Sequence, residues 1–222
     1  MHDCIVLAAG ASSRMGVWKL LLPWKGLTVI ETVVEEALAV ADRVIVVGGY
    51  RSDDLVELFS PVDRVQVVVH EGWRKGQLTT LQRGLDEVRT DGFFVTLGDM
   101  PGVTREVFGA LAGRRTLLSP EPTHPRAYRP GRPEHPGHPV LLDGGARAII
   151  AGLDPGLSLR HAFPRLQHEY LNLSGLETSG DLDVPSDYPN GHLDPSRTRC
   201  SGRLATEALQ SAERVRGKAP VG

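Results

Sequence analysis

The sequence predicts an α/β protein with an open, mostly parallel, doubly wound sheet, and three observations support this prediction. Four short apolar runs are continuous rather than alternating, as in strands that are covered on both faces. Amphipathic helical patterns separate these runs, and the alternation of strand and helix continues to about Gly113. Such an order predicts right-handed crossovers between parallel strands. The four runs are CIVLAA, RVIVVGG, RVQVVVH and GFFVTLGD.

The helical segments carry start and stop signals. The segment TVIETVVEEALAVA begins at Thr28, and Glu31 three residues later completes the pattern of a capping box. In SDDLVELF, Ser52 is the expected N-cap, and acidic residues follow it in the first turn. The segment GQLTTLQRGLDEV has apolar residues at helical spacing. In TREVFGALAG, Thr104 is the expected cap and Gly113 the expected stop.

The second half of the chain is less regular. The stretch SPEPTHPRAYRPGRPEHPG (119–137) is rich in proline, which excludes a helix and predicts a surface excursion. Ordered patterns then return in HPVLLDGGARAIIAGL and HEYLNL. From residue 190 the composition is polar. We therefore expect one domain over residues 1–189 and a polar tail over 190–222 that is compatible with a single helix.

The composition of the chain indicates which kinds of binding partner and which cellular compartment to expect. The chain has 222 residues, 41% of them hydrophobic and 23% charged, and a formal net charge of -2. That balance argues against nucleic acid or an anionic membrane as partner. The two cysteines, Cys4 and Cys200, are too far apart in sequence to suggest a disulfide framework or a metal site. No signal peptide and no apolar run of membrane-spanning length is evident, so we expect a soluble, cytoplasmic protein.

The loop after the first strand carries the strongest chemical signal. It reads VLAAGASSRMGVWKLLLPWKG, and its residues 8–11 are small enough for a ligand to approach the backbone. Exposed backbone N–H groups together with the cations of Arg14 and Lys19 suit a polyphosphate. The P-loop pattern is absent, because Lys19 does not directly follow Gly16. The dinucleotide fingerprint is absent too, because Ser12 replaces its second glycine. The alternative is an ordinary turn with two solvated cations.

This loop resembles the signature LAAGxSSRMGxxKLLLP of the MobA-like nucleotidyltransferases, and within them the molybdenum cofactor cytidylyltransferases. Four further motifs of that family follow in the expected order from residue 76 to residue 188. These motifs are GQLTTLQRGL, VTLGDMPGV, GHPVLL and DLDVPSDY. The resemblance implies the Rossmann-like fold of the nucleotide-diphospho-sugar transferases. It covers Cys4 to Tyr188 and leaves the tail outside.

The resemblance also implies roles for residues around a nucleoside triphosphate. An acceptor phosphate would attack the α-phosphorus and release pyrophosphate, which demands alignment and charge neutralisation. Arg14 and Lys19 would be the catalytic cations. For Gly76 and the two threonines after it, a purely structural role in starting a helix is the alternative. The implied nucleotide-binding residues are Leu7, Ala8, Ala9, Gly10, Ser12, Ser13, Gly76, Thr79 and Thr80.

A metal site and an acceptor site are implied in the same way. Asp99, at the end of the fourth strand, and Asp183 would be ligands of Mg²⁺, a cation that prefers oxygen. For Asp99 the alternative is a cap of the following turn. His138, in GHPVLL, would face the acceptor. Arg160 resembles an arginine near the same place in relatives, with a surface salt bridge as the equal alternative.

The expected function is Mg²⁺-dependent transfer of CMP from CTP to the phosphate of molybdopterin cofactor. Pro23, in the P-x-x-G pattern PWKG, favours CTP over GTP. The expected protein partner is a molybdenum hydroxylase of the xanthine dehydrogenase type. Guanylyl or other nucleotidyl transfer is one alternative. An NAD(P)H-dependent oxidoreductase of the nicotine blue type is another, and a non-catalytic cofactor carrier is the third.

Overall fold

The computed structural model describes residues 1–13, 17–118, 124–180 and 182, which contain an eight-stranded sheet, a two-stranded hairpin, five α-helices and short 3₁₀ turns. The strands are β1 (Asp3–Ala8), β2 (Pro23–Trp24), β3 (Leu27–Thr28), β4 (Arg43–Gly48), β5 (Val65–Val69), β6 (Gly92–Leu97), β7 (Arg126–Arg132), β8 (His135–Pro136), β9 (Val140–Asp143) and β10 (Gln167–Leu171). The helices are α1 (Val29–Leu38), α2 (Ser52–Phe59), α3 (Gln77–Leu85), α4 (Arg105–Leu118) and α5 (Ala146–Ala151).

The main sheet is mostly parallel. Its strand order is β10-β7-β9-β6-β1-β4-β5, with β8 paired to β7 at the side. The strands β1, β4, β5 and β6 run parallel, while β9 is antiparallel to both of its neighbours, β6 and β7. The short strands β2 and β3 form a separate hairpin. The predicted open, mostly parallel α/β sheet is confirmed.

Helices cover the sheet on both faces, which explains the continuous apolar runs. In β1, Cys4 and Val6 pack in one cluster with residues of α1, α2 and α4. Ile5, between them, packs in a second cluster with residues of α3 and α5. All three side chains are fully buried. Because successive residues of a strand point to opposite faces, a strand covered on both sides needs no polar alternation.

The predicted capping box at α1 is present. The Thr28 hydroxyl accepts a hydrogen bond from the Glu31 backbone N–H at 3.2 Å, and the Glu31 carboxylate accepts one from the Thr28 N–H at 2.9 Å. Glu31 is fully buried, and the box pairs its Oε2 but not its Oε1, which has no hydrogen-bond donor among the described residues. At α2 the expected cap is wrong, because the N-cap is Arg51 in the left-handed conformation (φ 51°), and Ser52 is the first helical residue.

The structure corrects two other predictions, which concern the end of α4 and the proline-rich stretch. Helix α4 continues past Gly113 to Leu118, because Gly113 lies on the exposed side of the helix and keeps a helical backbone. Part of the proline-rich stretch is not a surface excursion, since Arg126–Arg132 forms β7, with Tyr128 fully buried. The ladder between β7 and β9 ends at Tyr128. Pro130, which has no N–H to donate, therefore lies outside this ladder.

In the part of the chain that the structure describes, no helix is both long and apolar enough to cross a membrane. Residues 14–16, 119–123, 181 and 183–222 lie outside the described residues. The predicted tail over 190–222 is among them, so the domain boundary at residue 189 stays a prediction.

Asp3 anchors the start of β1 through its carboxylate. The residue is 2% exposed, and its Oδ2 accepts hydrogen bonds from Arg43 Nη2 at 3.0 Å and from the Arg89 backbone N–H at 2.7 Å. Burial raises the pKa of the Asp3 carboxyl, but the hydrogen bonds from Arg43 and Arg89 outweigh it. The net effect is a pKa below the ordinary value.

Because the folded-state pKa of Asp3 is lowered, its stabilisation is complete above about pH 4. It is lost as pH falls through the folded-state pKa. We expect Asp3→Asn to lower the free energy of unfolding by about 3 kcal/mol at pH 7, since it leaves Arg43 unpaired, and to flatten the loss of stability below pH 4. Urea unfolding at pH 7, 5 and 3 measures both effects. Asp63→Asn, at an exposed position, is the control, and equal stability of Asp3→Asn and wild type at pH 7 would contradict the assignment.

Candidate active site

A pocket of about 350 Å³ opens at the carboxyl edge of the sheet, between the ends of β1 and β6. Open α/β sheets bind their ligands at this edge. Six of the residues predicted from the sequence to bind nucleotide or metal line this pocket. The full lining is Leu7, Ala9, Gly10, Trp73, Arg74, Gly76, Gln77, Thr80, Leu97 and Asp99.

The loop after β1 is held by backbone hydrogen bonds to its neighbours. The Leu7 carbonyl accepts from Gly98 N–H at 2.9 Å, and the Ala9 carbonyl accepts from Tyr50 N–H at 3.1 Å. Ala8 is buried beneath the loop and pairs with Gly48. The positions from Leu7 to Ala9 are therefore fixed by strands on both sides, so the pocket floor is rigid where a nucleotide would lie.

The two serines of the loop differ in environment. Ser12 has a left-handed backbone (φ 52°), and its hydroxyl accepts a hydrogen bond from the Lys19 backbone N–H at 3.3 Å. Ser13 is exposed. Ser12 thus closes the loop onto the 3₁₀ turn Lys19–Leu21, while Ser13 faces solvent. Arg14, the predicted second cation, lies outside the described residues.

An ion pair joins this loop to the end of β6. Lys19 Nζ lies 2.5 Å from Asp99 Oδ2 and donates a hydrogen bond to the Leu182 carbonyl at 2.7 Å. The Leu182 N–H in turn donates to the Asp99 carbonyl at 3.1 Å. Lys19 is only 9% exposed. Two groups that are 80 positions apart in sequence are therefore in contact, at the edge of the pocket.

A row of aromatic and cationic side chains forms the wall beside the loop. Tyr50 lies edge-on between Trp18 and Trp73, at centroid distances of 5.9 and 6.1 Å. The Arg74 guanidinium lies 4.5 Å above the Trp73 ring, and Trp18 Nε1 donates to the Gly10 carbonyl at 3.2 Å. Trp73 and Arg74 were missed in the sequence. Their signal is the segment GWRKG, directly before the helix that lines the pocket.

The residues at the start of α3 divide into structural and pocket-lining positions. Gly76 has a φ of 118°, which favours glycine. The Thr79 hydroxyl donates to the Gly76 carbonyl at 2.8 Å and contacts His70 Nε2 at 3.0 Å, whereas Thr80 lines the pocket. Burial lowers the pKa of His70, with smaller contributions from the charges of Arg83 and Lys75. The described contacts of Thr79 are those of a helix start.

A second pocket of about 690 Å³ lies beside the first and shares Gln77 and Leu97 with it. His138, predicted to face the acceptor, lines this larger pocket, and its backbone N–H donates to the Thr178 carbonyl at 2.7 Å. Arg160 lines the same pocket and is exposed, without an ion pair to a carboxylate among the described residues. The site therefore has two adjoining compartments.

The donor set suits a cation that shares its coordination with a substrate. Within residues 1–13, 17–118, 124–180 and 182, no group of three or more His, Cys, Asp or Glu side chains could hold a metal ion. Asp99 does place one carboxylate at the pocket edge. Mg²⁺ is commonly bound by one or two carboxylates together with substrate phosphates. Asp183, the predicted second ligand, lies outside the described residues.

The fold and this two-compartment site define a class: an α/β protein with a pocket at the carboxyl edge of its sheet, the edge at which open α/β sheets bind ligands. Residues 4–169 match the MobA-like NTP transferase domain, and the chain belongs to that family. The crystal structure of Rv0371c from Mycobacterium tuberculosis is similar to this chain, with a TM-score of 0.68 and 25% identity. The match covers 84% of this chain and 94% of that one.

Relatives with different activities are similar to the chain. It is 31% identical over 186 residues to the molybdenum cofactor cytidylyltransferase of Escherichia coli, covering 84% of this chain and 93% of the relative. The chain is 32% identical over 107 residues to a probable molybdenum cofactor guanylyltransferase of Bacillus cereus, covering 48% of this chain and 53% of the relative. Nicotine blue oxidoreductase of Paenarthrobacter nicotinovorans is 26% identical over 190 residues, 81% and 91% of the two chains.

Gly49 lets Trp73 pack against the loop after β1. A Cβ at position 49 would lie 2.5 Å from Trp73 Cβ and 2.9 Å from Ala9 Cβ. We expect Gly49→Ala to displace Trp73, to lower the free energy of unfolding by about 1–3 kcal/mol and to change tryptophan emission.

Denaturant unfolding followed by circular dichroism and by tryptophan fluorescence measures these effects. Gly113→Ala is the matched control, because its Cβ would meet open space on α4. That variant should keep or raise stability, by up to about 1 kcal/mol. Wild-type stability and emission in Gly49→Ala would show that Trp73 is not fixed by this contact.

Proposed function

We propose that this chain is a Mg²⁺-dependent cytidylyltransferase that transfers CMP from CTP to the phosphate of molybdopterin cofactor. The family supports nucleotidyl transfer, and its relatives in molybdenum cofactor biosynthesis support this class of acceptor. The observation that carries the proposal is the Lys19–Asp99 pair at the edge of one pocket, with a second, larger pocket beside it. One compartment suits a nucleotide and the other an acceptor.

The smaller pocket provides complementary surfaces for a nucleoside triphosphate. The backbone of Ala9 and Gly10 lies against base and ribose, and Trp73 with Arg74 forms the wall beside them. Lys19 neutralises charge on the triphosphate, and we assign the same role to Arg14 from its position in the sequence motif. Because Lys19 is buried and anchored, its charge acts in a setting with little water to screen it.

The reaction requires alignment more than proton transfer. An oxygen of the acceptor phosphate forms a bond to the α-phosphorus of CTP, and the bond from that phosphorus to the oxygen shared with the β-phosphate breaks. Pyrophosphate leaves with the electrons of that bond. The attacking oxygen is already ionised near neutral pH, so no general base is needed. Lys19 stabilises the charge that develops on the transferred and leaving groups.

Asp99 is the described residue that would hold Mg²⁺, and Asp183 is the proposed second ligand. When bound, Mg²⁺ neutralises phosphate charge and orients the reacting oxygens. In the structure Lys19 balances the charge of the Asp99 carboxylate. A triphosphate offers Lys19 new acceptors, and the Asp99 carboxylate is then available to a cation.

Two observations favour cytidine. Pro23, of the P-x-x-G pattern, pairs with Thr28 in the β2–β3 hairpin, directly after the turn that carries Lys19. The cytidylyltransferase relative matches over 93% of its length, the guanylyltransferase relative over 53%. We further propose that residues 1–189 carry the activity and that a molybdenum hydroxylase of the xanthine dehydrogenase type receives the product.

Nucleotide preference is measured by thermal stabilisation with CTP, GTP, ATP or NADPH, each with and without Mg²⁺. We expect CTP with Mg²⁺ to raise the melting temperature most. At a hundred times its dissociation constant, a ligand adds about 2.7 kcal/mol of stability, which a melting curve resolves. Preference for GTP would indicate guanylyl transfer. Stabilisation by NADPH alone, independent of metal, would contradict nucleotidyl transfer and favour the chemistry of the oxidoreductase relative.

Asp99→Asn tests the metal site. The variant should keep its fold and bind CTP without metal, but lose the added stabilisation by Mg²⁺ and at least about a hundredfold in turnover, because the amide is a weaker ligand for a hard cation. Thermal shifts and release of pyrophosphate are the measurements, and Asp63→Asn, at an exposed position away from the pocket, is the control. Wild-type Mg²⁺-dependent turnover in Asp99→Asn would remove the metal role.

A further inference from the structure

The larger pocket has a cationic and aromatic wall that the transfer step leaves unexplained. Arg129 projects from β7, and its guanidinium lies 4.4 Å above the ring of Phe163. Both residues line the pocket, together with Arg160. Glu134 lies in the same lining but is exposed. The wall therefore combines two guanidinium groups with one aromatic ring.

Among the residues that the structure describes, Arg129 has no carboxylate partner. Its Nε atom is buried and has no hydrogen-bond acceptor among the described residues. Burial lowers the pKa of Arg129, and the positive charge of Arg160 lowers it further, while a hydrogen bond to the Tyr170 side chain acts in the opposite direction. In the described ranges no carboxylate pairs with this guanidinium. A partly buried cation without an anion is costly, so the site suits an anion carried by a ligand.

The topology separates Arg129 from the reacting phosphates. Strand β7 is the third strand from β1, because β6 and β9 lie between them. With strands about 4.8 Å apart, the backbone of Arg129 is about 14 Å across the sheet from the loop after β1. The pockets meet instead at Gln77 and Leu97. Arg129 therefore faces the part of an acceptor that lies away from Lys19 and Asp99.

We propose that Arg129, together with Arg160, binds a second anionic group of the acceptor, remote from the phosphate that attacks the nucleotide. This inference rests on the proposed function. In molybdopterin cofactor the corresponding group is the dithiolene with its bound metal. A planar guanidinium held over an aromatic ring is pre-organised for such a contact, because few of its rotamers remain to be fixed on binding.

The test measures binding of the freshly released cofactor, under anaerobic conditions, by quenching of tryptophan fluorescence. The proteins are wild type, Arg129→Gln, Arg129→Lys and Arg160→Gln. Arg165→Gln is the matched control, because Arg165 is exposed in the same 3₁₀ turn as Phe163 and does not line the pocket. A second titration uses the oxidised pterin derivative, which keeps the phosphate and lacks the sulfurs.

We expect Arg129→Gln to weaken cofactor binding by about tenfold or more, as for loss of a charged hydrogen bond, and Arg129→Lys to lie between. Arg160→Gln should weaken binding less, since its side chain is exposed. Affinity for the sulfur-free derivative should change less than about twofold. The dissociation constant for CTP should stay unchanged in every variant.

Unchanged cofactor affinity in Arg129→Gln would overturn the inference. Equal weakening toward the sulfur-free derivative would also overturn it, because Arg129 would then bind the phosphate. Absence of cofactor binding by the wild type would overturn the inference as well. The proposed function is tested separately, by stabilisation with CTP and by release of pyrophosphate. If Arg129→Gln fails to fold by circular dichroism, Arg129→Lys and the exposed Arg160→Gln decide the result.

Discussion

The contact between Lys19 and Asp99 is the interaction on which the site depends. It joins the loop after β1 to the residue that follows β6, a central strand of the sheet. The Leu182 carbonyl accepts a hydrogen bond from the same ammonium group. A lysine side chain normally stays in water because its charge is strongly hydrated. Here a carboxylate and a carbonyl replace that water, so the charge is fixed in position before a ligand arrives.

The sheet converts this local arrangement into a two-part site. The parallel strands β1 and β6 bring the loop and Asp99 to one edge, while the reversed strand β9 places β7 beyond them. The spacing between strands then sets the distance between the smaller pocket and Arg129. In the proposed transfer, an acceptor that reaches from Lys19 and Asp99 to Arg129 would have to span this distance.

Most of the fold could be predicted from the sequence, because its elements carry local signals. Each of the four parallel strands is marked by an apolar run of a few consecutive residues. The capping box of Thr28 and Glu31 likewise spans only four positions of the sequence. Strand β7 was missed because the stretch around it is rich in proline, and its pairing with β8, β9 and β10 makes it a strand. The end of α4 was placed too early because Gly113 marks a stop only where the backbone turns left-handed.

The residues of the candidate site also divide into those that the sequence could predict and those that it could not. Residues on the loop after β1 and Asp99 stand at strand ends, which sequence position alone can indicate. Arg129 lacked such a signal, since its contact with Phe163 joins two segments that are distant in sequence. The signal for Trp73 and Arg74 was the segment GWRKG, which was not assigned to the site. Thr79 and Thr80 are adjacent in sequence, yet only Thr80 lines the pocket, and helix geometry decides between them.

The position of β1 in the sheet also affects how the protein is made. β1 is synthesised first, but its partners β4 and β6 begin about 40 and 90 residues later, since Asp3 pairs with Arg43 and Phe93. At about 5–20 residues per second, an apolar strand waits about 5–18 s for its second neighbour. Until β4 pairs with it, both edges of β1 are open to other chains, and the edge that β6 covers stays open for the whole interval. Newly made protein is therefore most exposed to misassembly before β6 leaves the ribosome.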